Sequence, residues 1–309
     1  MRIDYSQAAA WFNCPAEWQE KYQKKRAVDW DAKTGGIGFG KRMHQLLEIR
    51  YKSLLGLPLP EYPPSINAET EEEAQAMLAA YGLEYPATEL VGKNGEVERL
   101  FEVPLSPASC SNCGLRYESF DSQTGVFVRY ATLSRGMIIC EDCQHPTRAV
   151  HTYCGKVDLW QWDAPTAKLT DHKTEERGGR GNTLEHWAVA PQLGLYKWAL
   201  EPELELPTVM EVNVLTRRSP AGQIGPSFRR FEVVQTPEFI EGAVEDLRWV
   251  ADQISASVEM MGEEPFPRNR GRCIVWGKKC PYYDLHLIGE TPELLSKFIP
   301  QEDYLGQDT

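Results

Sequence analysis

No apolar run in the 309 residues approaches the roughly 18 needed to span a bilayer, so no membrane association is expected. The opening stretch, MRIDYSQAAAWFNCP, lacks the basic-then-apolar pattern of a secretory leader, and a cytoplasmic protein is the expectation. Basic residues are few: 33 Lys and Arg stand against 45 Asp and Glu, a net charge of −12. That total speaks against nucleic-acid binding through overall charge. It does not exclude binding through local clusters beside metal-holding carboxylates, where an ion offsets the negative charge. Such clusters occur at Lys24–Arg26, Arg217–Arg218, Arg229–Arg230 and between Arg268 and Lys279. There is no internal repeat, so stacked-repeat architectures are excluded. What is present is an ordinary globular composition, 42% hydrophobic and 25% charged, long enough for one large domain or two small ones. Eight cysteines in a reducing compartment point to metal binding before disulfides.

Along the chain, residues 6–26 read as two short helices, with Ser6 as N-cap of the first and Pro15 in the first turn of the second. A helix from about Lys41 to Leu55 carries Met43, Leu46, Leu47, Tyr51 and Leu54 on one face. Gly35–Gly40 precedes it, and a proline-rich loop from Leu57 to Pro64 follows. Thr70 with Glu73 has the spacing of a capping box, opening a helix that ends at Gly82. Strands are expected at Val97–Leu105, Tyr153–Trp162, Ala167–Lys173, Met210–Leu215 and Ser227–Val234. A glycine-rich loop at 178–181 leads to a helical stretch from Leu184 to Leu200, interrupted at Pro191. Thr236-Pro237 opens the clearest helix, apolar on one face from Ile240 to Met261 and stopped at Gly262. The segment from Pro265 looks irregular.

The sequence GKVDLWQWDAPTAKLTDHKT, residues 155–174, carries the chemistry. Two strand-like runs flank the polar turn Asp163-Ala164-Pro165-Thr166, which predicts a hairpin. Centred there, facing residues have numbers summing to 329, so Asp158 lies opposite Asp171. Like charges in that position repel unless a cation sits between them. Lys173 shares a face with Asp171. Two carboxylates and an ammonium at one point suit divalent-metal phosphodiester hydrolysis, with Mg²⁺ or Mn²⁺ held by oxygen ligands.

These residues resemble a known signature. Gly155-Lys156-Val157-Asp158 with Thr170-Asp171-His172-Lys173-Thr174 is similar to the G-x-x-D … D-x-K-T pattern of RecB-like nucleases, a branch of the PD-(D/E)XK superfamily that includes CRISPR-associated exonuclease-type members. Three further motifs follow in that family's order: Asn13-Cys14-Pro15-Ala16-Glu17-Trp18, Phe39-Gly40-Lys41-Arg42-Met43-His44, and Gln192-Leu193-Gly194-Leu195-Tyr196. The resemblance implies an α/β fold, a PD-(D/E)XK core with a mixed central sheet flanked by helices. It makes His44, Asp158 and Asp171 metal ligands, with the His172 carbonyl as a further one, and Lys173 the catalytic lysine. Gln192 and Tyr196, four apart on a helix, would position DNA or that lysine. A glutamate on the preceding strand is also expected, and Glu98 and Glu102 are both candidates.

Cys110-x₂-Cys113 and Cys140-x₂-Cys143 form two knuckles fit for a four-thiolate zinc site. Gly114 and Asp142 lie where tight knuckles are made. This predicts an inserted zinc ribbon at 106–150, interrupting a nuclease domain composed of 1–105 and 151–309. The resemblance also draws attention to Cys14, Cys273 and Cys280, which match three of the four ligands of an iron–sulfur cluster in some relatives; His286 stands where the fourth is expected. That set could hold a cluster, a second zinc, or nothing. Cys154 reads as buried strand filler.

The function expected is a metal-dependent deoxyribonuclease, an exonuclease on single strands or ends, in recombination, repair or phage genome processing. DNA is the expected partner, with a recombination or replication protein as a second one. The rival readings are a non-catalytic DNA-binding protein on the same fold and a subunit whose zinc ribbon recruits a polymerase or helicase.

Overall fold

A computed structural model describes residues 1–28, 36–62, 68–86, 94–105, 110, 112–116, 118–121, 125–129, 131–134, 137–148, 151–177, 184–218, 225–275 and 278–300. The expected glycine-rich loop at 178–181, Gly35, Pro63 and Pro64 lie outside the described residues. The chain opens with β1 (Arg2–Ile3) and α1 (Tyr5–Asn13). Asp4, not Ser6, caps α1: its carboxylate accepts from Gln7 N at 2.7 Å. Ser6 already lies inside the first turn, so the cap falls to the extended residue before the helix. Then come α2 (Pro15–Trp18), with Pro15 in its first turn, a π turn at Gln19–Gln23, and β2 (Arg26–Val28).

Helix α3 (Gly36–Leu55) starts five residues earlier than the sequence suggested, and α4 (Ala68–Glu84) starts before Thr70. Thr70 and Glu73 therefore do not form the expected capping box. Glu73 instead accepts from Arg217 Nε at 2.6 Å. Nor does Gly82 end α4, which runs on to Glu84.

Strand β3 (Asn94–Leu105) is followed by five short strands: β4 (Glu118–Asp121), β5 (Val126–Arg129), β6 (Ala131–Ser134), β7 (Met137–Cys140) and β8 (Pro146–Arg148). Among the described residues they pair with one another, as β4-β5 and β6-β7-β8. Strands β9 (His151–Asp163) and β10 (Thr166–Arg177) form the expected hairpin. Its pairs run from Asp163↔Thr166 to Leu159↔Thr170, the register read from the turn.

The helical stretch that follows is two helices, α5 (Leu184–Val189) and α6 (Pro191–Leu204). Pro191 cannot continue a helix but suits the first turn of a new one. Gln235 Nε2 bridges the break, donating to Ala188 O at 3.2 Å and Ala190 O at 2.8 Å. Then come β11 (Thr208–Arg218), β12 (Ser227–Val233) and α7 (Pro237–Met261), capped by Thr236. The last segment is not irregular: β13 (Ile274–Val275), β14 (Lys278–Lys279), α8 (Tyr283–Ile288), α9 (Pro292–Leu295) and β15 (Phe298–Pro300) occupy it, and β15 pairs with β2.

The central sheet is mixed, ordered β1-β9-β10-β11-β12, with β3 on β9. Val212 and Val214 pack with α1, α6 and α7, whereas Leu215 packs with α3 and α4, as strand alternation requires. Helices thus cover both faces. Complete burial of a side chain such as Val214 contributes about 1.5–3 kcal/mol, and these layers fix where the strand ends meet. No helix among the described residues is long and apolar enough to cross a membrane.

Candidate active site

Strands β9 and β10 part company beyond Leu159↔Thr170, while β10 continues its parallel ladder with β11 as far as Arg177↔Arg218. In the fork, the Asp158 carboxylate replaces the lost strand pairing by accepting from His172 N at 2.6 Å. Asp158 and Asp171 are thereby gathered where the sheet opens. Gly155 supports this fork from below, since a Cβ there would sit 2.5 Å from Phe101 Cζ and 3.2 Å from Tyr196 Cε1. That close packing gives the glycine of the GKVD motif a physical reason.

Odd-numbered residues of β10 face α5 and α6. Lys173 Nζ lies 2.8 Å from Asp171 Oδ2 and donates to Gln192 Oε1 at 3.2 Å; Gln192 Nε2 donates to Tyr196 OH at 2.8 Å. Because α6 begins at Pro191, Gln192 and Tyr196 share one helix face with no kink between them. Trp187 lies under the ammonium, 5.6 Å from its ring centre.

The opposite face of β10 meets α3. His44 Nδ1 is 3.5 Å from Asp158 Oδ1. His44, Glu98 and Asp158 each offer a ligand atom, all within 4.8 Å of one another. The geometry therefore separates the two glutamates. Glu98 joins the cluster, while Glu102 pairs with Arg2. Glu98 has φ +56°, a left-handed conformation unusual for a side-chain-bearing residue in a strand. It sits where β3 changes face: Val97 packs with α3 and α4, yet Phe101 and Val103, of the same parity, pack with α1, α6 and α7. The irregularity turns the carboxylate toward Asp158, in the manner of a bulge that re-aims a side chain.

Charge is unevenly held. Burial would raise the Asp158 pKa, but the facing His44 outweighs it and keeps the carboxyl well below the usual range. Burial opposes protonation of His44, and Asp158 reverses that, raising its pKa. Lys173 stays charged against burial because Asp171 and Asp158 face it. Asp171, buried beside Asp158, ionises less readily than an exposed aspartate despite Lys173. His172 is buried, its pKa lowered to about 3, and acts as a neutral ring stacked 5.3 Å from Tyr51. Asn213, which no motif singles out, donates from Nδ2 to Tyr81 OH at 2.8 Å and lies 2.9 Å from His172 Nδ1.

The knuckle cysteines converge as expected. Cys110 and Cys143 Sγ are 3.6 Å apart, Cys113 and Cys140 Sγ 3.5 Å, and all four fall within 4.8 Å. Tetrahedral thiolates about 2.3 Å from zinc lie about 3.8 Å apart, so this donor set fits. The two knuckles match: Gly114 N donates to Cys110 O and Gln144 N to Cys140 O, both at 2.8 Å. Gly114 (φ +77°) and Gln144 (φ +57°) make the left-handed turns, so Gln144 occupies the role the sequence suggested for Asp142.

Cys14, Cys273, Cys280 and His286 do not form such a group among the described residues. Cys14 Sγ accepts from Asn269 N at 3.3 Å, and His286 Nε2 faces Glu20 Oε1 at 3.8 Å. The two chain ends meet nevertheless, through β2–β15 pairing, Arg272 Nη2 donating to Asn13 Oδ1 at 2.7 Å, and Arg26 bound to Glu20 and Glu290. Cys154 is buried in β9, its thiol donating to Ile3 O at 3.4 Å. Several basic clusters proposed for phosphate are engaged internally: Arg26 as above, Arg217 with Glu73, and Arg229 with Glu175.

A family model described as the PD-(D/E)XK nuclease superfamily matches residues 3–285. A crystal structure of a "Putative exonuclease" from Eubacterium rectale aligns at TM-score 0.44 and 12% identity, covering 91% of this chain and 95% of that one. The structure of SSO0001 aligns at TM-score 0.27 and 11% identity, covering 72% and 76%. At those scores neither likeness bears on activity. No curated protein matches the chain.

Proposed function

The chain belongs to the PD-(D/E)XK nuclease superfamily, and from that premise we propose that it hydrolyses DNA phosphodiesters as a divalent-metal-dependent exonuclease. The observation that carries this reading is the convergence of His44, Glu98 and Asp158 beside the Asp171–Lys173 pair. The donor set fits Mg²⁺ or Mn²⁺, two carboxylates and one imidazole within 4.8 Å of one another, while Asp171 is engaged by Lys173 outside that group. Bound there, such an ion would polarise a phosphate and lower the pKa of water.

The residues around it have separable tasks. Lys173 brings a permanent positive charge to the place where negative charge grows on the phosphate. Gln192 holds the Lys173 ammonium, and Tyr196 holds Gln192, so the pair positions the lysine. Asp171 keeps that ammonium protonated and aimed. His172, neutral and stacked on Tyr51, fixes the backbone N–H that orients Asp158.

Residues 106–150 form, in this reading, an inserted zinc ribbon held by Cys110, Cys113, Cys140 and Cys143, with 1–105 and 151–309 as the nuclease domain. The thiol spacing supports it, as does the pairing of β4–β8 with one another and not with the central sheet among the described residues. Recombination, repair or phage genome processing is the setting proposed for the activity.

The test uses end-labelled linear DNA, single- and double-stranded, beside a covalently closed circle, with Mg²⁺ or Mn²⁺. Linear substrates should be shortened from an end while the circle survives. Cutting of the circle would contradict the exonuclease assignment, and loss of neither substrate would favour a binding role.

A further inference from the structure

A polar cavity of about 320 Å³ lies between α3, α4 and the sheet, on the face of β10 opposite Asp171 and Lys173. Its β10 lining is Lys168 and Thr170, even-numbered like His172. It lies on the same α3-facing side as the metal-ligand cluster but shares none of its residues, and Tyr51, stacked on His172, stands in its wall. Three cationic side chains from three elements reach it: Arg50 of α3, Lys168 of β10 and Arg230 of β12. One carboxylate, Glu211, faces them, 3.2 Å from Lys168 Nζ and 3.9 Å from Arg230 Nε. Among the described residues the lining thus sets three cationic side chains against one carboxylate in a concave, partly enclosed space. Concave walls of low dielectric concentrate that field on the cavity and favour an anion there.

The cations are held in place. Arg50 Nη2 donates to Tyr85 O at 2.9 Å; Arg230 Nη2 donates to Tyr81 OH at 2.9 Å, and its guanidinium lies 3.5 Å from the Tyr85 ring centre. Such fixing lowers the entropy cost of binding. The remaining lining is mixed, with Leu54, Leu159 and Pro86 apolar beside Gln161, Thr170 and three tyrosine rings. A bare inorganic anion would leave that wall and most of the volume unused. The volume lies at the lower end of the range for small-molecule sites of about 300–1,000 Å³. A phosphomonoester joined to a flat, partly apolar ring system fits both halves.

We infer that this cavity is a binding site for a nucleoside monophosphate, with Arg50 and Lys168 on the phosphate side and Leu54, Leu159 and Pro86 against the base. The site goes beyond the nuclease reading and does not depend on it. Its wall is linked to the catalytic cluster by a chain of contacts: Tyr51 OH to Tyr81 OH at 2.7 Å, Tyr81 to Asn213, Asn213 to His172, and His172 N to Asp158.

The test is calorimetric titration of the full chain with deoxyadenosine 5′-monophosphate in excess EDTA, which silences any metal-borne phosphate binding. One saturable site is expected. Arg50→Met and Lys168→Met should each weaken it about tenfold with unchanged melting temperature, as loss of a charged phosphate contact does. Glu211→Gln should tighten it, a change of opposite sign that misfolding would not produce. Lys173→Ala should leave it unaltered. Absence of saturable binding at millimolar nucleotide would overturn the inference. So would equal affinity in the Arg50 and Lys168 variants, or inorganic phosphate binding as tightly as the nucleotide. A 5′-phosphorylated oligonucleotide competing as well as the monomer would overturn the free-nucleotide assignment.

Discussion

Replacing Glu98 with glutamine should move stability and activity in opposite directions. Glu98 and Asp158 offer oxygens within 4.8 Å of each other. At an effective dielectric of about 20, two charges that close repel by about 3.5 kcal/mol or more. Lys156, ion-paired to Glu98, offsets most of this. What survives is visible in the Glu98 pKa, which is raised by burial first and Asp158 second. A carboxyl whose folded pKa exceeds its unfolded value costs stability once pH rises through that window, and the cost persists at neutral pH. Glutamine removes it. Without metal, Glu98→Gln should gain about 1 kcal/mol, or about 2 °C in melting temperature for a chain this size. With Mn²⁺ at a hundredfold excess over its dissociation constant, wild type should gain about 2.7 kcal/mol, and the variant much less. Calorimetry at neutral pH in EDTA and then in Mn²⁺, beside a cleavage assay, reads all three effects. A variant that melts lower than wild type in EDTA, yet keeps the Mn²⁺ shift and the activity, would refute the reasoning.

Cys110→Ser with Cys113→Ser should abolish about one equivalent of bound zinc, measured by elemental analysis, while the β9–β10 hairpin survives because its strands pair outside the ribbon. In acid, burial would raise Glu20, but hydrogen bonds from His286, Lys24 and Arg26 outweigh it and hold its pKa down to about 2. A depressed carboxyl stabilises the fold above its unfolded pKa and loses that effect as pH falls toward the folded value. Between pH 4.5 and 2, Glu20→Gln should therefore lose less stability than wild type, by on the order of 2 kcal/mol in denaturant titrations. Gly155→Val should destabilise by about 1–3 kcal/mol, read by thermal melting, because its Cβ would lie 2.5 Å from Phe101 Cζ.

The catalytic hairpin was legible because its turn is local: Pro165 and its polar neighbours fix the centre, and the register follows by counting. Helix α7 was legible for the same reason, with a cap, a stripe and a stop in one run. The choice between Glu98 and Glu102 was not, since it depends on how β3 meets β9 more than fifty residues away and on a left-handed residue that no propensity announces. Capping at Thr70 failed because the signal is short-range while Glu73 is claimed by Arg217 from across the fold. The knuckle spacing pointed to four converging thiols, but nothing local predicts that His286 turns to Glu20. The cavity beneath α3 was invisible to any motif, being assembled from side chains on six elements and the loop after α4.

Metal-dependent cleavage of DNA by the purified chain, wild type against Lys173→Ala, tests the central claim most directly. Lys173 touches Asp171, Gln192 and the Trp187 ring, so the variant should melt lower than wild type, and its rate is read at a temperature where circular dichroism shows both proteins folded. Removing the charge that meets the phosphate should lower the rate by about 10²–10³-fold. A Lys173→Ala protein that cleaves DNA at the wild-type rate would contradict the assignment.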